Sequence, residues 1–192
     1  MARYLKEVVV YVVLGVITAG ATYLVRQNRA LAEQNRLLAR RAVDPRAGLY
    51  VPALDAATLD GTHIILGEPR RRQLLLVFNH TCPYCRASVP AWKAIAARLE
   101  DDPGITVYGV ALDSTRVAAA YAAEHGLGFP VIAQRDPRLV GLYRVSAVPL
   151  VLVLDDGRMA YARLGILESP AAIDSVVAAA RARRRVAGDG GS

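Results

Sequence analysis

The sequence predicts an α/β domain, a central mixed sheet flanked by helices and led by an N-terminal hairpin, behind a single transmembrane helix. Three observations carry this expectation. Leu74 to Phe78 and Ile105 to Leu112 are continuous apolar runs separated by a helical pattern, as buried strands of a parallel core are. Asp60-Gly61 and Asp156-Gly157 each stand between two apolar segments, the short-range signal of a hairpin. Val8 to Val25 is a run of 18 residues without a charge, about the length that crosses the hydrocarbon of a bilayer.

Residues 1–7 form a short N-terminal segment. The run that follows is bracketed by Lys6-Glu7 and Arg26, with Tyr4 and Tyr23 near its ends, where amphipathic rings suit the interface. A cleavable signal peptide is the rival, since Arg3 and Lys6 make a basic start and Ala19-Gly20-Ala21 fits a small-residue cleavage site. The apolar run continues past that site to Val25, which favours an uncleaved anchor over residues 8–25. Charge alone leaves the sidedness open. Arg26, Arg29, Arg36, Arg40 and Arg41 outnumber Arg3 and Lys6, so the positive-inside rule taken literally keeps the domain in the cytoplasm. A lone N-terminal anchor ahead of a long soluble domain is instead the usual layout for export, and long domains cross despite charge.

Residues 26–49 read as a helical stalk. Leu24, Leu31 and Leu38 recur every seven residues, with Asn28 and Asn35 near the other seam position of a coiled coil. So short a pattern supports at most a weak stalk-mediated dimer, and a solvated helix is the default. Asp44-Pro45-Arg46-Ala47-Gly48 then breaks the helix and opens a domain over residues 50–187.

Within that domain, Ala57-Thr58-Leu59 and His63 to Leu66 are the arms of the first hairpin. Leu74 to Phe78 is the central strand. A helix follows through Ala91, Ile95 and Leu99, with Pro90 expected to kink it. Ile105 to Leu112 is the next buried strand, and Thr115 to His125 a helix ended by Gly126. Val131 and Ile132 make a short strand, and Pro137 to Tyr143 a short helix. Leu150 to Leu154 and Met159 to Leu164 flank the second hairpin turn, and Pro170 to Arg185 is a closing amphipathic helix. Gly188 to Ser192 reads as a flexible tail.

The chain has 192 residues, enough after the N-terminal portion for one globular core. Its net charge is +7, and all but Lys6 and Lys93 among the 24 basic residues are arginine. They cluster between Arg26 and Arg46, at Arg70-Arg71-Arg72, and between Arg181 and Arg185. A nucleic-acid surface would interleave such residues with aromatics. Here the first cluster abuts an apolar segment and the last ends a helix, where cations suit the dipole. Nucleic acid is therefore not an expected partner.

The chain's two cysteines stand three positions apart in Cys82-Pro83-Tyr84-Cys85, after a strand that ends near Asn79 and before a helical pattern. A sulfur at a helix start lies over unpaired backbone N–H groups at the positive end of the dipole, which favours thiolate. Cys82 is thus the candidate nucleophile. Cys85, one turn further in and less exposed, is the candidate resolving thiol. Pro83 at the first helical position costs nothing, because its missing N–H would have had no intrahelical partner. Half of a zinc site is a rival reading, but structural zinc needs four ligands. His63, His80 and His125 are scattered and there is no second CxxC, so no metal is expected. Two buried structural cysteines are a further rival, one that leaves a proline at a strand-to-helix junction poorly explained.

CPYC after a strand, and Val148-Pro149 just before the strand Leu150 to Leu154, resemble the active site and cis-proline loop of the thioredoxin fold. Leu59-Asp60-Gly61, Phe129-Pro130-Val131 and the stretch Tyr143 to Leu150 resemble more narrowly the membrane-anchored TlpA/ResA-like thiol-disulfide oxidoreductases, over Tyr50 to Val186. The resemblance implies an oxidoreductase on the outer, periplasmic face of a bacterial cytoplasmic membrane, which makes export the expected topology. It implies protein disulfide or dithiol clients and an upstream membrane electron donor. It calls for no cofactor, the redox group being the Cys82–Cys85 disulfide itself. An exported apocytochrome before haem attachment, or a metal-site assembly protein, would be such a client. Pro149 would be cis, a state almost confined to X-Pro bonds, with the Val148 backbone facing the sulfurs and open to an extended partner. The plainer alternative is a trans proline at a strand's start.

The Pro83-Tyr84 pair resembles that of glutaredoxins, whose potentials are intermediate. Two places depart from the family pattern. Members often carry an aromatic before the first cysteine and a carboxylate three residues after the second, and here Thr81 and Ser88 stand there. That carboxylate is the family's acceptor for the resolving thiol's proton, so the base is left unassigned. Leu74, Leu75 and Leu76 offer no acid on the preceding strand, and His80 is the nearby titratable candidate for a tuning role. Two other functions fit parts of the pattern. A peroxiredoxin-like thiol peroxidase would share the leading hairpin and Phe129-Pro130, but such enzymes need a threonine three residues before the reactive cysteine, where Asn79 stands. A redox-inert thioredoxin-fold adaptor would only bind its client, and its stalk would dimerise.

Overall fold

The structure, a computed structural model, describes residues 15, 18–29, 31, 45–134 and 136–182. The chain divides into two compact units, Met1–Val43 and Asp44–Ser192. In the first, residues 18–29 are helical and exposed. Much of the expected span Val8 to Val25, and most of the stalk with Asn35 and Leu38, lie outside the described residues. Among the described residues no helix is long and apolar enough to cross a membrane. Arg183 to Arg185 and the expected tail also lie outside them.

The second unit opens with β1 (Leu54–Ala57) and β2 (His63–Leu66), paired antiparallel as a separate two-stranded sheet. The arms are set further apart than the Asp-Gly signal suggests, because Thr58 and Leu59 belong to the connection rather than the strand. The Asp60 carboxylate accepts from the Thr58 hydroxyl and from the Thr62 N–H, and Gly61 takes a φ of +88° that a side chain would resist. The Leu59 N–H donates to the Val131 carbonyl at 2.8 Å, tying the hairpin to the main sheet.

That sheet has the order β5-β4-β3-β6-β7. Its strands are β3 (Arg72–Phe78), β4 (Thr106–Ala111), β5 (Val131–Ala133), β6 (Leu150–Asp155) and β7 (Arg158–Leu164). β3 pairs parallel with β4, and β4 with β5, whereas β3–β6 and β6–β7 are antiparallel. Every residue of β3 is buried because helices cover both faces, which is why the sequence shows a run rather than an alternation. Leu74, Leu76 and Phe78 join a core with side chains of α1 (Pro83–Leu99), α2 (Thr115–His125) and α4 (Pro170–Arg181). Leu75 and Val77, on the opposite face by the two-residue period of a strand, pack with Leu66, Tyr143 and Leu139 of α3 (Pro137–Leu142).

Asp156 and Gly157 both have positive φ, 53° and 68°, the form that matches the twist of a two-residue hairpin between β6 and β7. Gly126 closes α2 in the left-handed conformation, and its N–H returns to carbonyls of the last turn. α1 is assigned as one element through Pro90, where a kink was expected. Pro90 itself is exposed. Because β3 and β4 are parallel and β6 runs against them, the ends of β3 and β4 and the start of β6 meet at one edge of the sheet. The cysteines lie there.

Candidate dithiol site

Cys82 is the N-cap of α1, with extended backbone (φ −80°, ψ 111°) and Pro83 directly after it. Its sulfur accepts the Cys85 N–H at 3.2 Å, in the place where a serine or aspartate oxygen caps other helices. Its carbonyl accepts from the N–H groups of Cys85 and Arg86. One turn on, Cys85 is fully buried, whereas Cys82 is partly exposed. Burial, reinforced by the hydrogen bond with Cys82, pushes the Cys85 thiol up to about 12. Behind Cys85 stands an aromatic wall, with Phe78 centred 5.1 Å from Tyr121 and 5.6 Å from Trp92. Both residues are free thiols here.

Opposite the sulfurs, the Val148–Pro149 bond is cis. The Cys82 thiol points at the Val148 carbonyl, 3.7 Å away. A groove of about 250 Å³ runs between Asn79, Thr81 and Cys82 on one side and Ser146 to Val148 on the other. Tyr84 stands 63% exposed beside it. The structure therefore brings Cys82, Cys85, Pro83, Tyr84, Val148 and Pro149 to one edge. A larger cleft of about 420 Å³ lies along the far end of α1, between Ala96, Leu99, Ile105 and Phe129, and contains neither cysteine. Among the described residues, no group of three His, Cys, Asp or Glu side chains is placed to hold a metal ion.

The two departures from the family pattern have local explanations. Thr81 donates through both its N–H and its hydroxyl to Asn79 Oδ1, which shapes the turn into α1. Ser88 is fully buried; its Oγ donates to the Tyr84 carbonyl at 2.9 Å and accepts the Leu167 N–H at 3.1 Å. It pins α1 to the segment after β7, a place with no solvent for a charge.

Sequence reasoning missed Asp113. It is buried just beyond β4, and both its oxygens serve His80: Oδ2 accepts the His80 N–H at 2.8 Å and Oδ1 lies 2.7 Å from Nδ1. The signal was present in the strand lengths. Phe78 pairs with Ala111 in parallel register, so residues two further along, His80 and Asp113, fall side by side.

A helix-capping sulfur, a buried partner one turn on and a cis-proline across the groove, on this sheet order, define a thioredoxin-fold protein carrying a dithiol. Solved structures agree on the fold. The thiol:disulfide interchange protein of the thioredoxin family from Chlorobium tepidum superposes with a TM-score of 0.56 at 22% identity, over 71% of this chain and 98% of that one. The thiol:disulfide interchange protein DsbE homolog of Paracoccus denitrificans is 33% identical over 127 residues, 62% of this chain and 67% of its own. Thiol-disulfide oxidoreductase ResA of Bacillus thuringiensis is 24% identical over 115 residues, 58% of this chain and 66% of its own. The matches thus span about two thirds of the length of these relatives. The chain belongs to the AhpC/TSA family, whose model matches residues 47–162.

Proposed function

We propose that this protein is a thiol-disulfide oxidoreductase that exchanges disulfides with exported protein clients through Cys82 and Cys85, held to a bacterial cytoplasmic membrane by Val8 to Val25. The observation that carries the reading is the division between the sulfurs. Cys82 is partly exposed with a backbone N–H aimed at its Sγ, and Cys85 is fully buried. In reduced protein, Cys82 attacks a client disulfide and forms a mixed disulfide, while the groove and the Val148 backbone hold the client's extended chain. Cys85 then attacks the Cys82 sulfur, the client leaves reduced, and the Cys82–Cys85 disulfide is returned to the dithiol by a membrane electron donor. The names of the ResA and DsbE relatives support the same chemistry. Apocytochromes and metal-site assembly proteins are the client classes we favour, and the domain would face the periplasm.

Turnover of a disulfide substrate by the full chain tests the proposal. Cys82→Ser should abolish it, and a rate equal to wild type would reject the assignment. A peroxide-consumption assay run beside it separates this reading from a thiol peroxidase, which Asn79 in place of threonine disfavours. A thiol titration showing no reversible two-electron couple would instead mark an inert adaptor.

A further inference from the structure

In the exchange just described, the Cys85 proton has no assigned acceptor. The carboxylate expected of the family is Ser88 here, and Ser88 is committed to Tyr84 and Leu167. The edge of the sheet holds another carboxylate. Asp113 has a side chain only 6% exposed and takes both its hydrogen bonds from His80, whose ring is 45% exposed. An ionised carboxylate only accepts, so at 2.7 Å the His80 Nδ1 must be the donor. The neutral ring then carries its hydrogen on the inner nitrogen, and Nε2 is left with a free lone pair. His80 lies two residues before Cys82, on the turn from which α1 starts. The other ionisable groups close to the dithiol are Arg86 on α1 and Tyr121 and Glu124 on α2, and no hydrogen bond joins any of them or either cysteine to His80 among the described residues.

We propose that His80 and Asp113 are the proton-handling pair of the dithiol. Asp113 is the positioning residue that fixes the tautomer, and His80 Nε2 takes the Cys85 proton directly or through one water. This rests on the exchange reading above. The step balances. The Cys85 S–H proton passes to Nε2, and the resulting sulfur anion attacks the Cys82 sulfur of the mixed disulfide. A Cys82–Cys85 bond forms, the Cys82–client bond breaks, and the departing client thiolate takes the proton back from the imidazolium. The two protein sulfurs lose two electrons and the client gains them. The transient imidazolium faces the Asp113 carboxylate, so no uncompensated charge is created at the buried edge.

The test uses the full reduced chain in detergent with dithiobis-nitrobenzoate, whose first released thiolate reports attack by Cys82 and whose second reports resolution by Cys85. The wild-type second release should be faster than that of any variant lacking the imidazole. His80→Gln should slow that release about 100-fold near neutrality and leave the first release within about threefold. Asp113→Asn offers one acceptor where the carboxylate offers two, so it should slow the same step about tenfold and shift the tautomer. Nitrogen NMR of wild-type His80 should find the hydrogen on Nδ1. A second release in His80→Gln that keeps the wild-type rate overturns the proposal, as does a neutral ring with its hydrogen on Nε2. Should Asp113→Asn fail to fold, those two measurements decide. Failure of the exchange reading itself looks different, since Cys82→Ser would then still give the first release at the wild-type rate.

Discussion

Ser88→Ala isolates the role of the residue that stands where relatives often carry a carboxylate. The Tyr84 carbonyl keeps its ordinary helical partner, the backbone N–H four residues on, so losing the hydroxyl there costs little. The Leu167 N–H is different. It is buried, and its acceptor is Ser88 Oγ at 3.1 Å, which Ser88→Ala removes. An unsatisfied buried donor costs about 1–3 kcal/mol. For a domain of this size that lowers Tm by roughly 3–15 °C, read by circular dichroism on the reduced chain. Ser88→Glu should cost more than Ser88→Ala, because it inserts a larger, ionisable side chain at a position with no exposure. Unchanged Tm in Ser88→Ala, or a Ser88→Glu protein as stable as wild type, would refute the reasoning that this position is a structural pin.

Cys85 carries a pH dependence with a definite sign. The folded state holds its proton well above the range in which an unfolded chain releases it, so stability is intact below about pH 8.5 and falls as pH rises towards the folded value of about 12. Chemical denaturation of reduced wild type should lose up to about 1.4 kcal/mol more per pH unit above pH 9 than Cys85→Ser does; parallel curves for the two proteins would contradict the burial. At Gly126, φ is +55° and an added Cβ would meet only the flexible end of Lys93, 3.4 Å away, so the cost of Gly126→Ala is backbone strain alone. It should lower the unfolding free energy by about 1 kcal/mol, read as a lower urea midpoint at unchanged m value, and a neutral result would argue against the left-handed cap.

The central strands, both hairpin turns and the helix start at Cys82 were legible because each rests on local chemistry. An apolar run buried on both faces, an Asp-Gly pair, and a Pro after a capping residue carry their reasons within a few positions. Pro90 shows the limit of local reading in another way: the helix runs on through it from Pro83 to Leu99, so the proline does not end the element. The hairpin of β1 and β2 was placed too close to its turn because Leu59 looked like a strand residue. Its N–H in fact leaves the hairpin to bond Val131, a partner 72 positions away that no local pattern reveals. Asp113 was missed for the same kind of reason. Nothing in Leu112-Asp113-Ser114 announces a site until β4 is laid parallel to β3 in register.

The departures at Thr81 and Ser88 have a common consequence. A dithiol site needs one sulfur reachable and one protected, and burying the second raises the cost of ionising it. A carboxylate one turn further along the same helix could take up the proton from below, but it would have to stand at position 88, where this chain seals the junction between α1 and the segment after β7. Sealing the floor leaves proton traffic only the rim. At the rim stands His80, and the buried carboxylate of Asp113 is already bonded to it. The fold thus separates two tasks that a single acidic residue would otherwise combine: Ser88 keeps the core dry, and the strand-end pair handles the proton.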